Sequence, residues 1–182
     1  MSKIYDENVK KQTQFELTPI KKVLIALDYN TNAQQVAEQG YTLATTMNAE
    51  VVLLHVLADV TYYSSLEYSP VLGFGGFNSE SFFKMVDEDG PTKAAQYFLE
   101  ELKTHFRDDS IVTIVDQGDY AETILKTATE MSVDVIVMGS HSRRWLEQIL
   151  IGSVTEKVLR NTSIPIYIIP SKKQDSKKNN AS

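Results

Sequence analysis

Five short runs of β-branched and aliphatic residues punctuate the chain: KVLIALD at 22–28, EVVLLHV at 50–56, SIVTIVD at 110–116, VDVIVMG at 133–139 and SIPIYII at 163–169. Each has the length and composition of a strand. The first, second and fourth are almost continuously apolar, as expected of parallel strands covered on both faces. Between the runs, apolar residues recur with helical period. Ala33, Val36, Ala37, Tyr41 and Ala44 share one face, with Thr31 as the expected N-cap. Ala94, Ala95, Phe98, Leu99 and Leu102 do the same after Pro91, a good first-turn residue. Ala121, Ile124, Leu125 and Ala128 follow Asp119. Val154, Val158 and Leu159 follow Ser153, which forms a capping-box pattern with Glu156 three residues on. The order β-α-β-loop-α-β-α-β-α-β predicts an α/β fold with a parallel sheet and right-handed crossovers.

No half of the pattern is duplicated, so one domain is expected over 22–170. Residues 1–21 read as an extension, and the tail SKKQDSKKNNAS (171–182) as a disordered basic segment. The connection 57–90 breaks the alternation. Residues 62–83 hold seven of the chain's 17 aromatics together with Gly73, Gly75 and Gly76. A connection that long is either a lid or oligomer surface, or an insertion whose aromatics fold back on the body. GFGGF within it is not a dinucleotide fingerprint, because it neither follows a strand nor opens a helix.

Composition narrows the function classes. The 182 residues are 42% hydrophobic and 23% charged, with no apolar run near the roughly 20 residues of a spanning helix. The first residues lack the apolar core of a secretory signal. Absence of cysteine removes disulfides and thiolate chemistry, and His55, His105 and His141 show no metal-ligand spacing. A cytoplasmic address is the expectation. The net charge of -6 is unevenly spread: 1–21 carry +1, 171–182 carry +3, and the body carries -10. So acidic a body argues against sequence-independent nucleic-acid binding, and any anionic ligand needs a local site.

That site is sought in VMGSHSRRWLEQILIGSVTEKVLRN, 137–161. A strand ends at Met138, Gly139 follows, and a polar loop with Arg143 and Arg144 leads to Gly152, directly before a helix. The two glycines allow close approach of a ligand to backbone. The helix N-terminus offers unpaired N–H groups and a positive dipole end, with the Ser153 and Thr155 hydroxyls as further donors. A helix cap beside a surface turn would have the same local sequence.

The longer pattern resembles the nucleotide-binding signature of the universal stress protein family, whose ATP-binding branch carries G-x2-G-x9-G-[ST]. Here it reads Gly139, two residues, Ser142, nine residues, then Gly152-Ser153. GSVTEKVL, a first strand ending in Asp28, a second ending His55-Val56 and a last strand with Ile164-Pro165-Ile166 are also similar to the family. Ser142 stands where that branch has its second glycine. If the position needs a positive φ, serine costs about 1–2 kcal/mol there. If it needs only an N–H near a phosphate, serine loses little and adds a hydroxyl.

The resemblance implies a doubly wound, five-stranded parallel sheet in order 3-2-1-4-5, with helices on both faces. The order reverses between strands 1 and 4, where open α/β sheets bind ligands at the carboxyl ends of their strands. Ala26, Leu27 and Asp28 arrive there from strand 1, and Met138 and Gly139 from strand 4. The resemblance implies that Ala26, Asp28 and Val56 flank adenine and ribose. Gly139, Ser142, Gly152, Ser153, Val154 and Thr155 would line the phosphates, with Arg143 in the same loop and Mg2+ held through ATP. Asp28 reads equally well as a strand-end turn residue. No Walker-type lysine loop and no catalytic triad are present, so binding is better supported than turnover, with slow ATP hydrolysis at most. A homodimer is expected through strand 5 (164–169), an apolar, uncharged sheet edge.

Two rival readings remain at this level. One is a family member without nucleotide, acting as a dimeric interaction scaffold. The other is a receiver-like phosphoacceptor domain with Asp28, Asp116, Ser140 and Lys172 at receiver-like positions, although Asp28 is followed by Tyr29-Asn30 rather than a second carboxylate.

Overall fold

The computed structural model describes residues 18–29, 32–57, 90–140 and 152–170. Residues 1–17 of the expected N-terminal extension, the bulk of the aromatic connection, Asn30 and Thr31, the loop carrying His141, Ser142, Arg143 and Arg144, and the basic tail with Lys172 lie outside the described residues. Residues 18–21 of the extension lead directly into the first strand, with Ile20 packed on the core.

The five apolar runs form five strands: β1 (Lys22–Leu27), β2 (Glu50–Leu57), β3 (Val112–Gln117), β4 (Val135–Gly139) and β5 (Ile166–Ile169). All neighbours pair in parallel, in the order β3-β2-β1-β4-β5. Four helices alternate with them: α1 (Ala33–Thr46), α2 (Gly90–Phe106), α3 (Tyr120–Glu130) and α4 (Ser153–Asn161). This is the doubly wound arrangement expected above. A receiver-like sheet has the order 2-1-3-4-5, so the strand order removes that rival.

Alternation along each strand divides the core in two. Val23, Ile25, Leu27, Val51, Leu53, Val135 and Val137 meet α1 and α2 on one face. Leu24, Val52, Leu54, Val56, Ile136 and Met138 meet α3 and α4 on the other. The central strands bury both faces, whereas edge strand β3 leaves Val112 44% exposed. Gly40 lets α1 settle close to β1 and β4: a Cβ there would stand 2.8 Å from Ile25 Cδ1 and 3.1 Å from Val137 Cγ1.

Several expected boundaries shift for local reasons. Strand β3 starts at Val112 rather than at 110, because Ser110 N–H and hydroxyl both donate to Asp108 in a tight turn. Strand β5 starts at Ile166, after Pro165, whose carbonyl accepts from Ile136 N–H at 2.9 Å. Asp119 caps α3, accepting from the N–H groups of Ala121 and Glu122. The N-cap of α1 is Asn32, without a side-chain bond. The capping box at α4 does not form. Gly152 is the N-cap, Ser153 is the first helical residue, and Glu156 instead pairs with Arg160 at 2.8 Å. Leu159, expected on the buried face of α4, is 46% exposed, and Val158 alone of the three apolar residues is fully buried.

Candidate functional site

The strand order reverses between β1 and β4, and their carboxyl ends lie side by side: Ala26 is level with Met138, and also with Leu54 of β2. Ala26, Val56 and Met138 point to the α3/α4 face, where Val154 also packs. Leu27 points to the opposite face, buried under α1 and α2. Its backbone therefore reaches this corner while its side chain does not. Asp28 follows on the exposed tip of β1.

Helix α4 is docked on the end of β4 by its first turn. The Thr155 hydroxyl donates to the Gly139 carbonyl at 3.0 Å, and Thr155 is 3% exposed. This proton is committed within the protein, so Thr155 acts on the corner through its position rather than as a hydroxyl donor to a ligand. Gly139 has its own constraint: a Cβ would lie 3.2 Å from Val36 Cγ2 on α1. Glu156 N–H closes the first helical turn onto the Gly152 carbonyl at 2.8 Å. The N–H groups of Ser153, Val154 and Thr155 precede that bond and belong to the unpaired first turn of the helix. Gly152 has φ -61° and ψ 153°, an extended conformation open to any residue, so it is not required for backbone freedom.

A second tie fixes α4 from its other side. Lys157 Nζ lies 3.1 Å from Asp119 Oδ1 and 3.0 Å from Glu122 Oε1, bracketing α4 against the start of α3. Hydrogen bonds from Glu122 N–H and Lys157 hold the Asp119 carboxyl below its ordinary range. Just before this cap, Gly118 turns the chain with φ +146°, its N–H donating to the Leu57 carbonyl at 3.0 Å. That turn brings the end of β3 against the end of β2, and a side chain there would be strained.

His55 lies beside the corner, and its local sequence does not mark it as a site residue. Level with Leu27 on β2, it is 3% exposed, and its Nδ1 lies 2.9 Å from the Leu27 carbonyl. Its ring stands 4.2 Å from that of Tyr29 and 6.0 Å from that of Phe98. Desolvation lowers its pKa, opposed by the bond to Leu27 and by the charge of Asp28. The signal in the sequence is one polar residue inside the apolar run of β2.

The structure thus brings together Ala26, Asp28, Val56, Met138, Gly139, Gly152, Ser153, Val154 and Thr155 at the carboxyl end of the sheet. Ser142 and Arg143 lie outside the described residues. No cluster of three His, Asp or Glu side chains that could hold a metal occurs among the described residues.

A doubly wound parallel sheet with a helix N-terminus beside the point where its strand order reverses defines an open α/β protein, a class that receives ligands at the carboxyl ends of its strands. Residues 19–170 match the model of the universal stress protein family, and the chain belongs to that family. It is 31% identical over 155 residues to the universal stress protein MJ0577 of Methanocaldococcus jannaschii, spanning 84% of this chain and 96% of that protein. A solved structure of MJ0577 matches with a TM-score of 0.63 at 28% identity, covering 86% of this chain and all of that one. A universal stress protein solved in complex with cAMP shares the fold, with a TM-score of 0.54 at 14% identity over 84% of this chain and 98% of that one. Among the described residues, no helix is long and apolar enough to cross a membrane.

Proposed function

We propose that this chain binds ATP at the β1/β4 switch point and acts in stress response or signalling through nucleotide occupancy rather than fast turnover. The observation that carries this reading is the 3.0 Å bond from Thr155 to the Gly139 carbonyl, which sets the free N–H groups of α4 beside the end of β4. Those N–H groups and the positive end of the helix suit phosphate oxygens. Ala26, Val56 and Met138 offer an apolar wall for adenine, and the Asp28 carboxylate suits a ribose hydroxyl. Gly139, Ser142, Gly152, Ser153 and Val154 would face the phosphates, with Arg143 as an added cation. Mg2+ would enter with the triphosphate, because a body of net charge -10 holds four phosphate charges poorly without a counter-ion. Family membership and the cAMP complex of a distant relative support a nucleotide ligand. A cytoplasmic address and a homodimer through β5 belong to the same reading. Tyr167 is 44% exposed on that edge, with Ile166 and Ile168 half-buried.

Mass spectrometry of small molecules released from the purified, denatured protein tests the ligand. ATP or ADP near one equivalent is the expected result. A cyclic nucleotide in its place would keep the adenine corner and refute the triphosphate, and a chain that neither carries nor takes up nucleotide is the scaffold-like rival.

A further inference from the structure

His55 has two nitrogens with different fates. The Leu27 carbonyl can only accept, so the 2.9 Å contact makes Nδ1 the protonated nitrogen and leaves Nε2 as a bare acceptor. Nε2 is buried and has no hydrogen-bond partner. Aromatic rings from Tyr29 and from Phe98 on α2 flank the imidazole, and its neighbour on β3 is the apolar Val115. The charged group acting on it from β1 is Asp28, one residue beyond the accepting carbonyl.

We propose that His55 is a positioning residue for the nucleotide corner: its Nδ1–H holds the Leu27 carbonyl, fixing the tip of β1 so that Asp28 stands where a ribose would meet it. This rests on the nucleotide reading above. A second proton can be added only at Nε2, which would place a cation with an unsatisfied N–H among aromatic rings. The ring must then leave its pocket, and its hold on Leu27 goes with it. Acid therefore loosens Asp28 and weakens the site.

The test uses the full chain, 15N-labelled, with His55→Asn and His55→Leu. Asparagine can place its side-chain N–H where Nδ1 stands and does not titrate, whereas leucine keeps bulk and offers no donor. In the ligand-free protein, lowering the pH from about 7.5 until the His55 ring titrates should move the Asp28 amide resonance along one curve with that ring, with no such step in His55→Asn. With Mg-ATP as probe, wild-type affinity should fall about tenfold more than that of His55→Asn over the same range. His55→Leu should bind about tenfold more weakly than His55→Asn at neutral pH, with unchanged circular dichroism. An Asp28 resonance indifferent to the His55 titration would overturn the proposal, as would equal affinities of the two variants. If His55→Leu does not fold, the wild type and His55→Asn decide between them. A chain that binds no ATP, yet whose Asp28 resonance follows the ring, refutes the nucleotide reading and supports the positioning role.

Discussion

Replacing Thr155 with valine removes the bond that docks α4 on β4 and changes little else. Valine keeps the volume and the branched Cβ of a side chain that is 3% exposed, so the local packing is preserved. What is lost is the 3.0 Å bond to Gly139, a half-buried carbonyl left without that donor. Such a loss costs about 1–2 kcal/mol. For a domain of this size it lowers Tm by about 3–6 °C. Thr155→Ser is the companion variant. It keeps the donor and gives up one methyl, costing about 1 kcal/mol of burial. The two variants should therefore lose similar stability in guanidinium unfolding. They should separate in Mg-ATP titration calorimetry, where Val weakens binding about tenfold, equivalent to about 1.4 kcal/mol, and Ser stays near the parent. If Val bound ATP like the parent while Ser was the weaker binder, the bond to Gly139 would have no part in presenting α4 to a ligand.

Gly40→Ala should destabilise the domain by about 1 kcal/mol, because overpacking against Ile25 and Val137 outweighs the better helix propensity of alanine; the guanidinium midpoint measures it. Arg107→Gly and Ser132→Gly should each stabilise by up to about 1 kcal/mol in the same assay, since both residues end helices at φ +54°. The folded-state pKa of His55 is depressed, so its contribution is fully present above the unfolded value of 6.5 and is lost as pH falls through the folded value. Thermal melts should show this loss in the wild type and not in His55→Asn. Ile166→Lys with Ile168→Lys should give a folded monomer by light scattering; a wild type already monomeric at high micromolar concentration would end the dimer proposal.

Most of the architecture is legible in the sequence because the three central strands are buried on both faces. Val23 to Ile25, Val51 to Leu57 and Val135 to Met138 are apolar without a break apart from His55, and no helix explains runs so short between glycines and polar caps. Element ends are less legible because side chains decide them individually. Ser110 is taken by the Asp108 turn, Pro165 lacks the N–H that would extend β5, and Arg160 takes Glu156 away from the α4 cap. Within the candidate site, spacing alone points to Gly139, Gly152 and Ser153, since a glycine motif is a local pattern. The roles of His55 and Leu27 depend on the register of β1 against β2, a long-range pairing that no local window contains. Thr155 shows the same limit. As a sequence position it is a hydroxyl near a helix start, and only the approach of α4 to β4 commits its proton to Gly139.

The most direct test of the central claim is calorimetric titration of the full chain with Mg-ATP, run beside Gly152→Val. The backbone at Gly152, φ -61° and ψ 153°, is one that valine adopts without strain, so α4 should still form and circular dichroism should be unchanged. Only a branched side chain is added where phosphate must meet backbone. Saturable, roughly one-to-one binding is expected for the parent, and at least a hundredfold loss, about 2.7 kcal/mol, in the variant. A folded Gly152→Val that binds Mg-ATP as tightly as the parent would contradict that claim.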